Sequence, residues 1–252
     1  AIRDQAAFLH QAGSTPVDHA FVSCEGAWAT DENGHRFLDF HGNSCHNIGY
    51  RHPRLIAALK EQLDTLCFTP RLFTSEPAVE LAEMLAARWP YGGAKVLLGV
   101  SGADAIEMAL KLAYIATGRT GTAAFDGSWH GAALGALSVG GTIGEKAGLP
   151  ALENCHHVPS YWLRRQGEKV ETCARNAFAG LRQILESRKI AALIAEPVRS
   201  TGQTAPDWFW PEVRALCDRT GTLMIFDEIP TGLGKTGRFF ASEHTGVRPD
   251  MT

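Results

Sequence analysis

An α/β fold, with a mainly parallel sheet flanked by helices, is what this sequence predicts. Residues 191–195 (AALIA) and 222–226 (TLMIF) are short runs dominated by apolar side chains, the pattern of strands buried on both faces. Stretches with apolar side chains at helical spacing separate such runs. The 252 residues are 45% hydrophobic, enough for one large core or two smaller ones.

In chain order, residues 27–40 (AWATDENGHRFLDF) read as two short strands around an Asn-Gly turn. Pro53 opens an amphipathic helix with Leu55, Ile56, Leu59, Leu63 and Leu66 on one face. Ser75 starts another, through AVELAEMLAARW. Alternation follows, with strands at 95–100, 122–125, 191–195 and 222–226. Helices are expected at 104–117, about 168–187, and from Pro211 to just before Gly221. The Gly/Ala-rich stretch 131–148 reads as a loop with one short strand at most.

Charge and composition narrow the partners. The formal net charge is −3, with Lys and Arg scattered, so nothing points to nucleic acid or an anionic membrane. No apolar run approaches the roughly 20 residues that span a bilayer, and AIRDQAAFLH has no apolar signal core. Cysteines 24, 45, 67, 155, 173 and 217 show no CxxC pair and read as reduced, mostly buried thiols in a cytoplasmic protein. No metal site is expected. Ala1 stands without a Met and Thr252 follows a Pro-Asp turn, so the sequence reads as a segment of something longer.

Open parallel sheets bind ligands at the carboxyl ends of their strands. After 95–100 come Ser101, Gly102 and Ala103, leading into a helix; such a turn leaves backbone N–H groups free for a phosphate, though a plain strand–helix turn has the same composition. Asp227 follows 222–226 and suits a cationic ring nitrogen, or a local cap. Trp129 and His130 in FDGSWHG suit stacking on and orienting a planar cofactor, or simple packing. The GLGKTG stretch holding Lys235 is no phosphate-binding P-loop, because Ile229 stands where that pattern needs glycine.

The order of these features carries more than any one. DENGHRFLDFHGN, GYRHPRLIAALKEQL, SEPAVELAEML, SGADAIEMALKLAYIATGR, FDGSWHG, LIAEPV and LMIFDEIPTGLGKTGRFFASEHTGVRPD together resemble the class III (ω-) aminotransferase family over essentially the whole chain. The resemblance implies the fold type I architecture of pyridoxal-5′-phosphate (PLP) enzymes. Residues 1–50 would belong to a small α+β domain and 51–252 to an incomplete large PLP-binding domain. It implies that Ser101, Gly102 and Ala103 hold the cofactor phosphate, Trp129 stacks on the ring with His130 beside it, Glu196 lies near the cofactor, Asp227 pairs with the pyridine nitrogen and Ile229 lies under the ring. The family's lysine, which holds the cofactor as an imine and acts as general base, is expected beyond Thr252; Lys235 is no substitute for it. A homodimer with the active site at its interface is also implied, residues 67–77 contributing to the neighbouring site.

Two departures bear on the reaction. Thr201 stands where 2-oxoglutarate-using members carry a Glu after the Glu-Pro motif, and Pro230 replaces a common Gln. The expected activity is amino transfer from a primary amine to a keto acid or aldehyde. The DFHGN segment and the altered Glu-Pro motif are also similar to a branch containing 2-amino-1-hydroxyethylphosphonate ammonia-lyase. On that reading Arg51, Arg71 and Arg199 are candidate phosphonate contacts. A non-catalytic PLP-fold binding protein is the third alternative.

Overall fold

The computed structural model describes residues 2–7, 19–40, 42, 45–70, 72–146, 148–163 and 167–252. The chain divides into two compact units, Ala1–Glu80 and Leu81–Thr252.

In the first unit a short helix, α1 (Ile2–Ala7), precedes the antiparallel strands β1 (Phe21–Glu25), β2 (Trp28–Asp31) and β3 (Arg36–Leu38), in the order β1-β2-β3. The β2–β3 hairpin pairs Trp28 with Leu38 and Thr30 with Arg36. Its turn closes because Asp31, buried, accepts the backbone N–H of Asn33 (3.0 Å) and of His35 (2.7 Å), and Gly34 takes φ +82°. β1 was not predicted; it joins through its ladder to β2 while Phe21 and Val22 remain exposed, so burial left no alternation to read. Helix α2 (Pro53–Thr65) forms as expected, but none of its residues is buried. Helix α3 (Glu76–Arg88) follows.

In the second unit α4 (Gly102–Thr117), β4 (Gly121–Phe125), α5 (Leu134–Val139), β5 (Cys155–Val158), α6 (Val170–Leu185), β6 (Ile190–Ala195), α7 (Phe209–Thr220) and β7 (Leu223–Phe226) succeed one another. The strands form one parallel sheet in the order β5-β4-β6-β7. Alternate side chains leave a strand on opposite faces, and the core divides accordingly. Ala123, Phe125, Leu193, Ala195, Met224 and Phe226 pack with α6 and α7 through Ala177, Leu181, Val213 and Leu216. Ala124, Ala192, Ile194 and Ile225 pack with α4 and α5 through Ile106, Leu110, Ala136 and Val139. Each fully buried Leu or Ile contributes roughly 2 kcal/mol of transfer free energy.

Three expectations need correction. Residues 95–100 form no strand: no ladder joins them to another described strand, and Leu97, Leu98 and Val100 are exposed. An apolar run becomes a strand only with a hydrogen-bonding neighbour. Second, α5 and a 3₁₀ turn at Ile143–Lys146 occupy the stretch read as a loop. Glu107 of α4 accepts the N–H groups of Gly135 (2.6 Å) and Ala136 (3.0 Å), capping α5 from outside its own sequence. Third, only Cys173 and Cys217 of the six cysteines are buried; Cys45 and Cys67 are exposed, and all six are free of disulfides.

Candidate functional site

From β4 the chain runs to β5 on one side, then crosses to β6 and on to β7 on the other. The order therefore reverses between β4 and β6, the position at which open α/β sheets bind ligands, beyond the carboxyl ends of their strands. β4 ends just before residues 126–130, β6 just before Glu196 and β7 just before Asp227. The candidate residues thus reach one place because of the connection order alone.

His130 and Asp227 meet there, 97 residues apart in sequence. Nδ1 of His130 donates to Oδ2 of Asp227 at 2.8 Å, and both side chains are almost wholly buried. Asp227 is fixed further by the backbone N–H of Ile229 on its Oδ1 (3.1 Å), and its own N–H donates to the carbonyl of Ala195 (2.8 Å). The far ring nitrogen of His130, Nε2, is buried and has no hydrogen-bond partner. A buried polar atom left in that state costs about 1–3 kcal/mol, which makes Nε2 a candidate contact for a ligand's polar group.

The N-terminus of α4 lies against the same loops. A methyl group added at Gly102 would sit 2.8 Å from Cδ1 of Ile229, and one at Gly131 would sit 2.7 Å from Cβ of Ala103. The Ser101–Ala103 turn, the segment after β4 and the segment after β7 are therefore in contact, and glycine allows the approach. Ser101 caps α4 by accepting the N–H of Asp104 at 3.1 Å. The N–H groups of Gly102 and Ala103 belong to the first turn, where a helix has no internal acceptor for them. The loop bearing Ile229 is held at its base by Glu228, which accepts the N–H groups of Ala241 (2.5 Å) and Ser242 (2.8 Å).

Glu196 is buried at the end of β6, with one oxygen paired to Arg199 and the other accepting the N–H of Ser200 (3.0 Å). Burial pushes its carboxyl up from the ordinary carboxylate range and the repulsion of Asp227 adds to this, while Arg199, the Ser200 N–H and His130 oppose it. Arg199 also donates through Nη2 to the Gly127 carbonyl (3.4 Å), and its guanidinium lies 4.6 Å from the centre of the Trp162 ring. Of the three arginines predicted for an anion, this one is already committed within the chain.

The remaining predicted residues are placed as follows. Trp129 leaves 46% of its surface exposed beside buried His130, and Ile229 leaves 51%. Pro230 sits in the turn after Ile229, Thr201 is exposed in the turn after Arg199, and Lys235 is exposed in the turn-rich stretch following β7. Arg51 is exposed in the first unit with φ +55°, and Arg71 lies outside the described residues. Sequence reasoning missed Gly131, Glu107 and Trp162. It also missed Gly141, whose hypothetical methyl would stand 2.1 Å from the Phe125 carbonyl oxygen, so that only glycine lets it clamp the turn after β4. Glycine-rich spacing at 131, 135, 140 and 141 is the one signal that pointed there.

Among the described residues no helix is long and apolar enough to cross a membrane, and no cluster of His, Cys, Asp and Glu is arranged to hold a metal ion. A family model described as Aminotransferase class-III matches residues 10–252. The chain is 35% identical over 268 residues to the (R)-1-hydroxy-2-aminoethylphosphonate ammonia-lyase of Vibrio splendidus, covering 99% of this chain and 56% of that protein. It is 36% identical over 241 residues to the 5-aminovalerate aminotransferase of Pseudomonas aeruginosa, covering 90% and 55%. An amine transaminase from an uncultivated Pseudomonas species, solved in its PLP-bound form, superposes with a TM-score of 0.86 at 32% identity, covering 97% of this chain and 61% of that one. The chain thus spans little more than half the length of the curated relatives it matches.

Proposed function

Because the chain belongs to the class III aminotransferase family, we propose that it is part of a PLP-dependent enzyme that acts on a primary amine and passes the amino group to a keto acid or aldehyde. The observation that carries this reading is the buried His130–Asp227 pair, with its unpartnered Nε2, on two loops whose Gly131 and Ile229 touch the N-terminus of α4.

The residues present fit the cofactor. The N–H groups of Gly102 and Ala103, with the hydroxyl of Ser101, would hold its phosphate. Asp227 would keep a proton on the ring nitrogen, and His130 would fix the carboxylate's orientation. Trp129 would stack on the ring and Ile229 would lie under it, two half-exposed apolar groups beside buried polar ones. Bound there, PLP supplies an electron sink for the carbon that carries the amine. The lysine that holds it and moves the proton is expected C-terminal to the segment described. In the whole enzyme we expect a cytoplasmic homodimer with its active site at the interface, residues 51–252 forming part of the large domain and 1–50 part of the small one. Exposure of Leu55, Leu59 and Leu63 on α2 supports an apolar partner surface.

A second reading, release of ammonia from an amino-hydroxy phosphonate, is favoured by Thr201 in place of the Glu of 2-oxoglutarate-using members and by the relative from Vibrio splendidus. On it, Arg199 is not the anion contact, because it is paired with Glu196. The full-length enzyme incubated with an amine, with and without a keto acid, separates the two. Product formation strictly dependent on the keto acid supports transfer; carbonyl product and free ammonia without any acceptor overturn it.

A further inference from the structure

Two buried carboxylates stand at the ends of adjacent strands, Glu196 after β6 and Asp227 after β7, at 3% and 4% exposure. Only Asp227 is needed against a ring nitrogen. A second buried negative charge beside it is unfavourable unless it is compensated. The compensation is visible. Arg199 pairs with Glu196 three residues along, and Ser200 donates its N–H to the second carboxylate oxygen. The turn that makes this reach possible is closed by Gly202 N–H to the Arg199 carbonyl (2.8 Å) and Arg199 N–H to the Gln203 carbonyl (3.0 Å), with Gly202 at φ +85°.

The same guanidinium does a second thing. Its other terminal nitrogen donates to the carbonyl of Gly127, in the turn that leads from β4 to Trp129 and His130. Its Cζ lies over the ring of Trp162, which packs edge-on against Phe125, the last residue of β4, at 5.6 Å between ring centres. One planar side chain therefore ties the loop after β6 to the loop after β4, which lysine's single ammonium does not reproduce.

We infer that Arg199 is a positioning residue: it neutralises Glu196 so that Asp227 alone presents negative charge to the cofactor, and it holds the 126–130 turn that carries Trp129 and His130. This rests on the PLP reading above. It also takes Arg199 away from the substrate's anionic group, the role that its residue type alone suggested.

The test compares R199Q, R199K and the double variant E196Q/R199Q with the parent in the full-length enzyme. PLP affinity is read by titrating each apoenzyme and following tryptophan fluorescence. Turnover is read with two amines of equal length, one ending in a phosphonate and one in a methyl group. R199Q is expected to weaken PLP binding about tenfold and to lower kcat for both amines by a similar factor, with KM little changed. R199K should recover little of this, and the double variant should bind PLP better than R199Q, because it removes the stranded carboxylate. A rise in KM confined to the phosphonate amine, with PLP affinity unchanged, overturns the inference in favour of a substrate contact. PLP affinity unchanged in both R199Q and R199K overturns it as well. Should R199Q fail to fold, R199K and the double variant decide by the same readouts. A parent enzyme that binds no PLP refutes the functional reading itself, a separate outcome.

Discussion

At the scale of single residues, the candidate site depends on which polar groups are buried and with whom. Asp227 and His130 hold each other at 2.8 Å inside the protein, so D227N takes the negative charge from the pair while its amide oxygen can still accept the imidazole N–H. Without that charge to keep a proton on a ring nitrogen, we expect kcat of the full-length enzyme to fall by about two orders of magnitude, with weaker cofactor binding by apoenzyme titration. Cys217 gives an independent check, since burial pushes its thiol up to about 12. Near pH 8 only about one thiol in ten thousand would then be ionised. Alkylation followed by mass spectrometry should leave Cys217 and buried Cys173 unlabelled until the protein is denatured. Asp227, His130, Gly102 and Ile229 were all legible in the sequence as motif positions. Arg199 was legible only as a cation, because its commitment to Glu196, Gly127 and Trp162 depends on a turn and on two distant segments.

Elements were legible where their own side chains decide them and illegible where a neighbour does. β4, β6 and β7 show their double burial directly as apolar runs, and α4 shows its start in Ser101 and its end in Gly118, which takes φ +66°. α5 showed nothing, because Glu107 on another helix supplies its cap. Residues 95–100 misled, because an apolar run says nothing about whether a ladder partner stands beside it. Glycines at element junctions offer contrasting predictions. G141A forces a methyl to 2.1 Å from a backbone oxygen that has little room to move, a loss of roughly 3 kcal/mol or more, seen as a thermal midpoint lower by roughly 5–10 °C. G102A meets instead the far end of the Ile229 side chain, which can rotate away. It should keep its thermal midpoint to within about 2 °C while weakening cofactor binding, because Ile229 is displaced.

For the molecule as a whole, the parallel sheet with the order β5-β4-β6-β7 is what gathers scattered motifs into a candidate site. The reversal between β4 and β6 gathers the ends of three strands, and the glycines at 102 and 131 let the loops close on one another. This much follows from connection order and residue size. The proposed class of chemistry rests on family membership, and the proposed choice between transfer and elimination rests on the departures at Thr201 and Pro230. The most direct test of the central claim is cofactor retention by the purified full-length protein, followed by borohydride reduction and peptide mapping. The account predicts a bound pyridoxal chromophore and, after reduction, one pyridoxyl-phosphate adduct on a lysine C-terminal to the segment described. An absent chromophore, or an adduct on Lys235 or any other lysine within residues 1–252, would contradict it.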